Sequence, residues 1–174
     1  MLKVEPHIAE RVINHKQHGP YDLWAYFDDK REALARWAAW LAVLRLCVGA
    51  AFLGAVTDAM LLGHWYLVQP GLARAPLLEL VRWTGYLWVP EIVLLLIPVG
   101  MVSVLNGHIN DNYNGLLGWF WLACAITTIG LVIVTRLALR ERYYSAVMAA
   151  TGLLYLAILT ASGTDLVARA VLAR

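Results

Sequence analysis

Three side chains with acid–base or ligand chemistry lie inside apolar stretches of this sequence: Asp58, Glu91 and His64. A carboxylate in such a stretch is costly to keep away from water, and in membrane proteins it often marks a site that handles protons or ions. An imidazole is a common ligand for metal ions and for haem iron. These three residues are therefore the candidate functional positions.

Asp58 and Glu91 each allow two interpretations. Either can be a working carboxylate that handles protons or substrate. Alternatively, Asp58 lies near the lipid headgroups or bonds to a neighbouring helix, and Glu91 compensates backbone groups freed by Pro90. If the first two hydrophobic segments form a hairpin, both carboxylates lie toward the same leaflet. There they can share a proton or bind a cation.

His64 stands beside Trp65 and Tyr66, so it is either an interfacial histidine or a ligand for a cofactor such as haem. The available second histidine is His108, which lies at the opposite end of the next hydrophobic segment. At 1.5 Å per residue, the separation of the two approaches the thickness of a bilayer core, about 30 Å. Any haem at His64 is therefore expected to take its second ligand from another subunit, and no metal site is predicted.

The composition indicates the solvent in which these side chains lie. Hydrophobic residues make up 61% of the 174 residues and charged residues 15%, whereas a soluble domain has about half and about a quarter. A soluble chain of this size cannot hide so much apolar surface. The net charge of +2 gives no basis for nucleic-acid binding. The predicted fold class is an all-α integral membrane protein, with the lipid bilayer as its first partner.

The hydrophobic segments set the predicted architecture. A bilayer core needs about 20 helical residues, and four segments approach or exceed that length. Pro90 and Pro98 are expected to kink the second segment. We predict an antiparallel bundle of about four transmembrane helices within a domain of residues 33–174, with spans over 41–68, 85–105, 116–135 and 143–163.

Residues 1–32 are predicted to form a polar N-terminal extension. They contain no apolar core or cleavage site typical of a secretory signal. An aspartate followed by further acidic residues favours a helix start, so we expect a helix from Asp28 that continues into the first span.

The basic residues give a divided prediction for the side of the membrane. Four of them near the first span favour cytoplasmic termini in a multi-pass protein of the cell membrane: Lys30, Arg31, Arg36 and Arg45. With four spans, the segment 136–142 then lies outside. Its three arginines disfavour that placement by the same rule. Cytoplasmic termini are the prediction, with the sidedness open.

Residues 5–41 carry a likeness to a known family. The stretch PHIAERVINH, a GPYD segment, a second tyrosine and the helix KREALARWAAWL resemble the C-terminal end of phage-type integrases, which are tyrosine recombinases. The resemblance implies a nucleophilic tyrosine at Tyr21, with Tyr26 as the second choice. The arginine and histidine that activate the phosphate in that family lie upstream of the matched segment. We therefore expect no recombinase activity from this segment alone.

Small residues one turn apart indicate close helix packing, as in Ala50 with Gly54 and Ala146 with Ala150. The leading hypothesis is a non-catalytic subunit or anchor of a larger membrane complex, such as a respiratory complex, that contacts other membrane subunits or itself. The alternative is a small transporter or proton-conducting protein that uses Asp58 and Glu91. A third hypothesis is a haem- or quinone-binding membrane protein.

Overall fold

The computed structural model describes residues 22–69, 71–97, 100–108 and 113–172, with side chains from Phe27 to Val171. The described residues form helices joined by loops, with no β-strand among them. Five helices occur, and we number them α1 (Asp22–Val68), α2 (Ala75–Leu96), α3 (Met101–Leu105), α4 (Leu116–Ala138) and α5 (Tyr144–Leu172).

The chain divides into two compact units, residues 1–44 and residues 45–174. In the first unit, the described part is the beginning of α1, which includes an ion pair between Glu32 and Arg36 one turn apart. The helix begins at Asp22, earlier than the start predicted at Asp28, and it has no break near residue 32. The predicted continuation of this helix into the first hydrophobic segment is confirmed.

Three helices are long and apolar enough to cross a membrane: Phe27–Val68 in α1, Leu116–Ala138 and Tyr144–Val171. They correspond to the first, third and fourth predicted spans. The all-helical membrane class therefore agrees with the structure, and the count of four spans stays a prediction.

The predicted second span, residues 85–105, is divided between two helices. Helix α2 begins earlier, at Ala75, and ends at Leu96, and α3 begins at Met101 after Gly100. Gly100 has a φ of 93°, a left-handed conformation that a residue with a Cβ rarely adopts. Helix α2 contains three charged residues, Glu79, Arg82 and Glu91, and it is not among the three helices that are long and apolar enough to cross a membrane.

The second unit is held together at one end by its loops. The guanidinium group of Arg74, just before α2, donates hydrogen bonds to the carbonyls of Glu141, Arg142 and Tyr143, just before α5. The Tyr144 hydroxyl donates to the Leu67 carbonyl at 3.1 Å. The loop after α1 and the loop after α4 therefore lie side by side. We call this the Arg74 end of the unit.

Helices α4 and α5 pack together most extensively. Their contact includes a hydrogen bond of 2.8 Å between the Thr128 and Thr160 hydroxyls. Several other buried threonines donate to a carbonyl one turn earlier in their own helix, as Thr84 and Thr151 do. This local bonding lets threonine enter an apolar core without an unpaired hydroxyl.

Candidate functional site

Glu91 is the most deeply buried charged residue that the structure describes. Only 2% of its surface is exposed, although it lies on α2 among apolar neighbours such as Ile92 and Leu95. Three charged side chains from two other helices act on it electrostatically: Asp165 and Arg169 from α5, and Arg45 from α1. We call these four residues the Glu91 cluster.

The members of the cluster differ in how closely they pair. Arg169 Nε lies 2.7 Å from Asp165 Oδ2, one turn away on the same helix. Arg45 Nη2 lies 3.7 Å from Asp165 Oδ1, and this contact joins α1 to α5. A separation of 3.7 Å is too long for a hydrogen bond. Asp165 is therefore firmly bonded to one arginine and only near the other.

Three buried polar atoms of the cluster have no hydrogen-bond partner among the residues that the structure describes: Nε and Nη2 of Arg45, and Oε2 of Glu91. Buried polar groups in proteins are nearly always bonded, so such atoms call for an explanation. Two of the three are donors and the third is an acceptor when Glu91 is ionised. The cluster thus offers bonding capacity of both kinds that the described residues leave unused.

Gly49 on α1 faces the Glu91 carboxylate. A Cβ at position 49 would lie 3.5 Å from Oε2 and 3.6 Å from Oε1. These are ordinary contact distances, so a methyl group would fit beside the carboxylate. Because residue 49 is glycine, another small group can occupy the volume that such a methyl group would fill.

The cluster becomes progressively more buried from the surface inward. The side chain of Arg169 is 55% exposed and that of Asp165 is 16% exposed, whereas Glu91 is almost inaccessible. From Glu91 toward the Arg74 end, the described core is mostly apolar, with residues such as Phe52, Val56 and Ala157. Within the cluster, Arg169 is therefore the most exposed member and Glu91 the most buried.

The structure does not bring Asp58 and Glu91 together. Asp58 lies ten positions before the end of α1, about 15 Å along the axis, whereas Glu91 lies about 24 Å from the start of α2. Glu91 is instead level with Gly49. The two carboxylates differ in depth because α2 begins at Ala75, so Glu91 lies farther along it than the predicted span implied.

Asp58 is exposed on α1 and has no hydrogen bond or ion pair with any residue that the structure describes. Its helix is one of the three that are long and apolar enough to cross a membrane. The residue is thus a lone carboxylate on an outward helix face.

His64 is exposed near the Arg74 end, where its Nδ1 lies 3.3 Å from the Tyr155 hydroxyl. The rings also meet edge to face, with centroids 6.4 Å apart. His108 is exposed after α3. Among the described residues, no group of three histidine, cysteine or acidic side chains is placed to hold a metal ion.

The two tyrosines singled out by the integrase resemblance are not part of this site. Tyr21 lies outside the described residues. Tyr26 lies within α1, and its side chain is outside the described part. A nucleophilic role for either one stays a prediction.

Sequence reasoning missed three members of the cluster. Arg45 enters the sequence prediction only as a basic residue near the first span, and Asp165 and Arg169 lie beyond the fourth predicted span, which ends at residue 163. The available signal was the spacing of Asp165 and Arg169, since an acidic and a basic residue four positions apart favour a continuing helix. Helix α5 does continue, to Leu172.

No family model, curated protein or solved structure matches this chain. The site must therefore be interpreted from its own geometry.

Proposed function

We infer that the protein is a non-catalytic subunit or anchor of a larger membrane complex, built as a bundle of about four membrane helices. The observation that supports this proposal is Asp58, an exposed carboxylate that no described residue bonds, on a helix long and apolar enough to cross a membrane. Placing an aspartate at the centre of a membrane helix costs about 3 kcal/mol. A partner that bonds to the carboxylate offsets this cost.

The face of α1 around Asp58 is suited to helix packing. Ala50, Gly54 and Asp58 are spaced four positions apart and are all exposed. A Cβ at position 54 would meet no described atom within 4 Å. Small residues at this spacing let a second helix approach closely in lipid. We call this surface the Asp58 face.

The chemistry of Asp58 indicates which partner fits. A second copy packed symmetrically on this face would bring two carboxylates together, and like charges at short distance are unfavourable. A different chain with a basic or hydrogen-bond-donating side chain at the same depth would satisfy the carboxylate. We therefore favour a heteromeric complex, whether respiratory or of another kind.

The other two hypotheses have less support. A transporter or proton conductor needs a polar route across the membrane, whereas the described core beyond Glu91 is mostly apolar. For the haem hypothesis, His64 lies within hydrogen-bond distance of the Tyr155 hydroxyl, and the described residues bring no second histidine to it.

The first experiment is purification of the tagged protein from its native membrane in mild detergent, followed by mass spectrometry of the proteins that accompany it. We expect a stoichiometric membrane partner. In Asp58→Leu, the amount of co-purifying partner should fall at least tenfold, which corresponds to about 1.4 kcal/mol of binding free energy. Asp58→Asn should retain part of it, because the amide can still form hydrogen bonds.

Thr127→Leu is the matched control, since it replaces an exposed polar residue on α4 with leucine outside the Asp58 face. It should retain the partner fully. A wild-type protein that purifies alone or only with further copies of itself would overturn the heteromeric proposal.

Cytoplasmic termini in the cell membrane are part of the proposal. The Arg74 contacts place the loops before α2 and α5 on the same side, so the proposal places both outside. A cysteine introduced at Glu141 should then react with a membrane-impermeant reagent in intact cells. Protection until the cells are opened would reverse the orientation.

A further inference from the structure

We propose that Arg45, Glu91 and Asp165 form a binding site for a small monovalent anion, which binds when Glu91 takes up a proton. The site lies on α1, α2 and α5, on a different surface of the chain from the Asp58 face. The inference therefore does not depend on the proposed membrane partner.

Arg45 has hydrogen-bond donors that the described residues leave unused. Nε and Nη2 of its guanidinium group are buried and have no acceptor within hydrogen-bond distance in the described part of the chain. The neighbouring Asp165 Oδ1 is 3.7 Å from Nη2, and Asp165 Oδ2 is already bonded to Arg169. Buried guanidinium donors are strong ligands for an anion.

The net charge of the cluster couples anion binding to protonation of Glu91. With all four side chains ionised, two arginines balance two carboxylates, and an added anion would place a net negative charge in a poorly solvated region. When Glu91 is protonated, the cluster has a net positive charge of one. A single bound anion then restores neutrality, so proton and anion binding reinforce each other.

The Glu91 carboxyl group can itself donate to the anion when it is protonated. Protonated Glu91 becomes a hydrogen-bond donor through its hydroxyl, so its carboxyl group and the Arg45 guanidinium can both donate to the same anion. Gly49 leaves room for a small group beside that carboxyl. The charged groups that act on Glu91 come from α1 and α5, and no described charge of α3 or α4 is among them.

The experiment measures binding of radioactive chloride to the full-length protein, with any co-purifying partners, in lipid nanodiscs at several pH values. We expect saturable binding of one chloride per chain. Its apparent Kd should rise up to about tenfold per pH unit on the alkaline side, as expected for coupling to one proton. Addition of chloride should remove protons from a weakly buffered solution and raise its pH, as followed by an indicator dye.

Two variants test the roles of the cluster. Glu91→Gln is neutral at every pH and can donate through its amide, so it should bind chloride without pH dependence and without proton uptake. Arg45→Gln should bind chloride at least tenfold more weakly than wild type. Arg82→Gln, which alters an exposed arginine on α2 outside the cluster, is the control and should behave as wild type.

The conservative Glu91 variant keeps the proposal testable even if Arg45→Gln fails to fold. Absence of chloride binding in both wild type and Glu91→Gln would overturn the proposal, as would binding that shows no pH dependence in wild type. Loss of binding in Glu91→Gln with retention in Arg45→Gln would reverse the roles assigned to the two residues and would also overturn it.

Discussion

At the Arg74 end of the second unit, one arginine donates three hydrogen bonds to the carbonyls of a neighbouring loop. About 35 Å from the Val68 end of α1, Arg45 has two buried guanidinium nitrogens with no acceptor among the described residues. The same type of side chain therefore serves two purposes. A fully bonded arginine holds loops in place, whereas an arginine with buried unused donors indicates a place where another group can bind.

Replacement of Arg45 tests this difference most strongly. Arg45→Leu removes the cation of α1 that faces Glu91 and Asp165, and breaking a buried ionic group in this way is costly. We expect the free energy of unfolding to fall by about 3 kcal/mol, as measured by detergent-induced unfolding followed through tryptophan fluorescence. Arg82→Leu breaks an exposed pair with Glu79, and its effect should be under about 1 kcal/mol. Equal effects of the two variants would contradict the importance of the cluster.

Replacement of Arg74 tests the opposite end. Arg74→Ala removes three hydrogen bonds from a charged donor, so we expect a loss of about 2 kcal/mol in the same unfolding measurement. Arg74→Lys should recover only part of it, because a single ammonium group cannot reproduce the planar fork of guanidinium donors. Full recovery with lysine would show that charge alone matters here.

The Tyr66 hydroxyl, which donates to the Ala73 carbonyl, gives a smaller test of the Arg74 end. Tyr66→Phe keeps the packed ring and removes only the hydrogen bond, so the unfolding free energy should fall by about 1 kcal/mol. Tyr143→Phe is the matched control, since the Tyr143 side chain is exposed. A decrease of similar size in both variants would mean that the bond itself contributes nothing.

The smallest change in stability is expected for Glu91→Gln. The shape of the side chain is retained, and Arg45 and Arg169 still have Asp165 as a counterion. We expect an unfolding free energy within about 1 kcal/mol of wild type, together with the altered anion binding described above. A loss as large as that of Arg45→Leu would assign Glu91 a structural role instead.

The fold was largely predictable because lipid-soluble helices need long apolar segments, and such segments are directly visible in a sequence. The helices over the first, third and fourth predicted spans follow this rule. The break between the helices that end at Leu96 and begin at Met101 was less predictable from the sequence. Pro98 indicates a kink, but it does not predict the left-handed conformation of Gly100 or the packing of α3 against α4, where Val104 lies near Gly118.

The candidate site was only partly predictable. Glu91 could be recognised because a carboxylate is conspicuous in an apolar segment. Its true neighbours could not, because they depend on the register between helices that are far apart in the sequence. Asp165 and Arg169 had the appearance of a polar tail, and only the continued helix α5 brings them opposite Arg45.

The order of residues in the cluster also affects how the protein is made. The ribosome releases Arg45 and Glu91 early, whereas Asp165 and Arg169 emerge only with the last helix. Until α5 is inserted, Arg45 lacks the counterion that it has in the finished bundle. Arg45 and Glu91 are then the members of the cluster already present, with opposite charges, and the ion pairs of Asp165 with Arg45 and Arg169 can form only once α5 is in place.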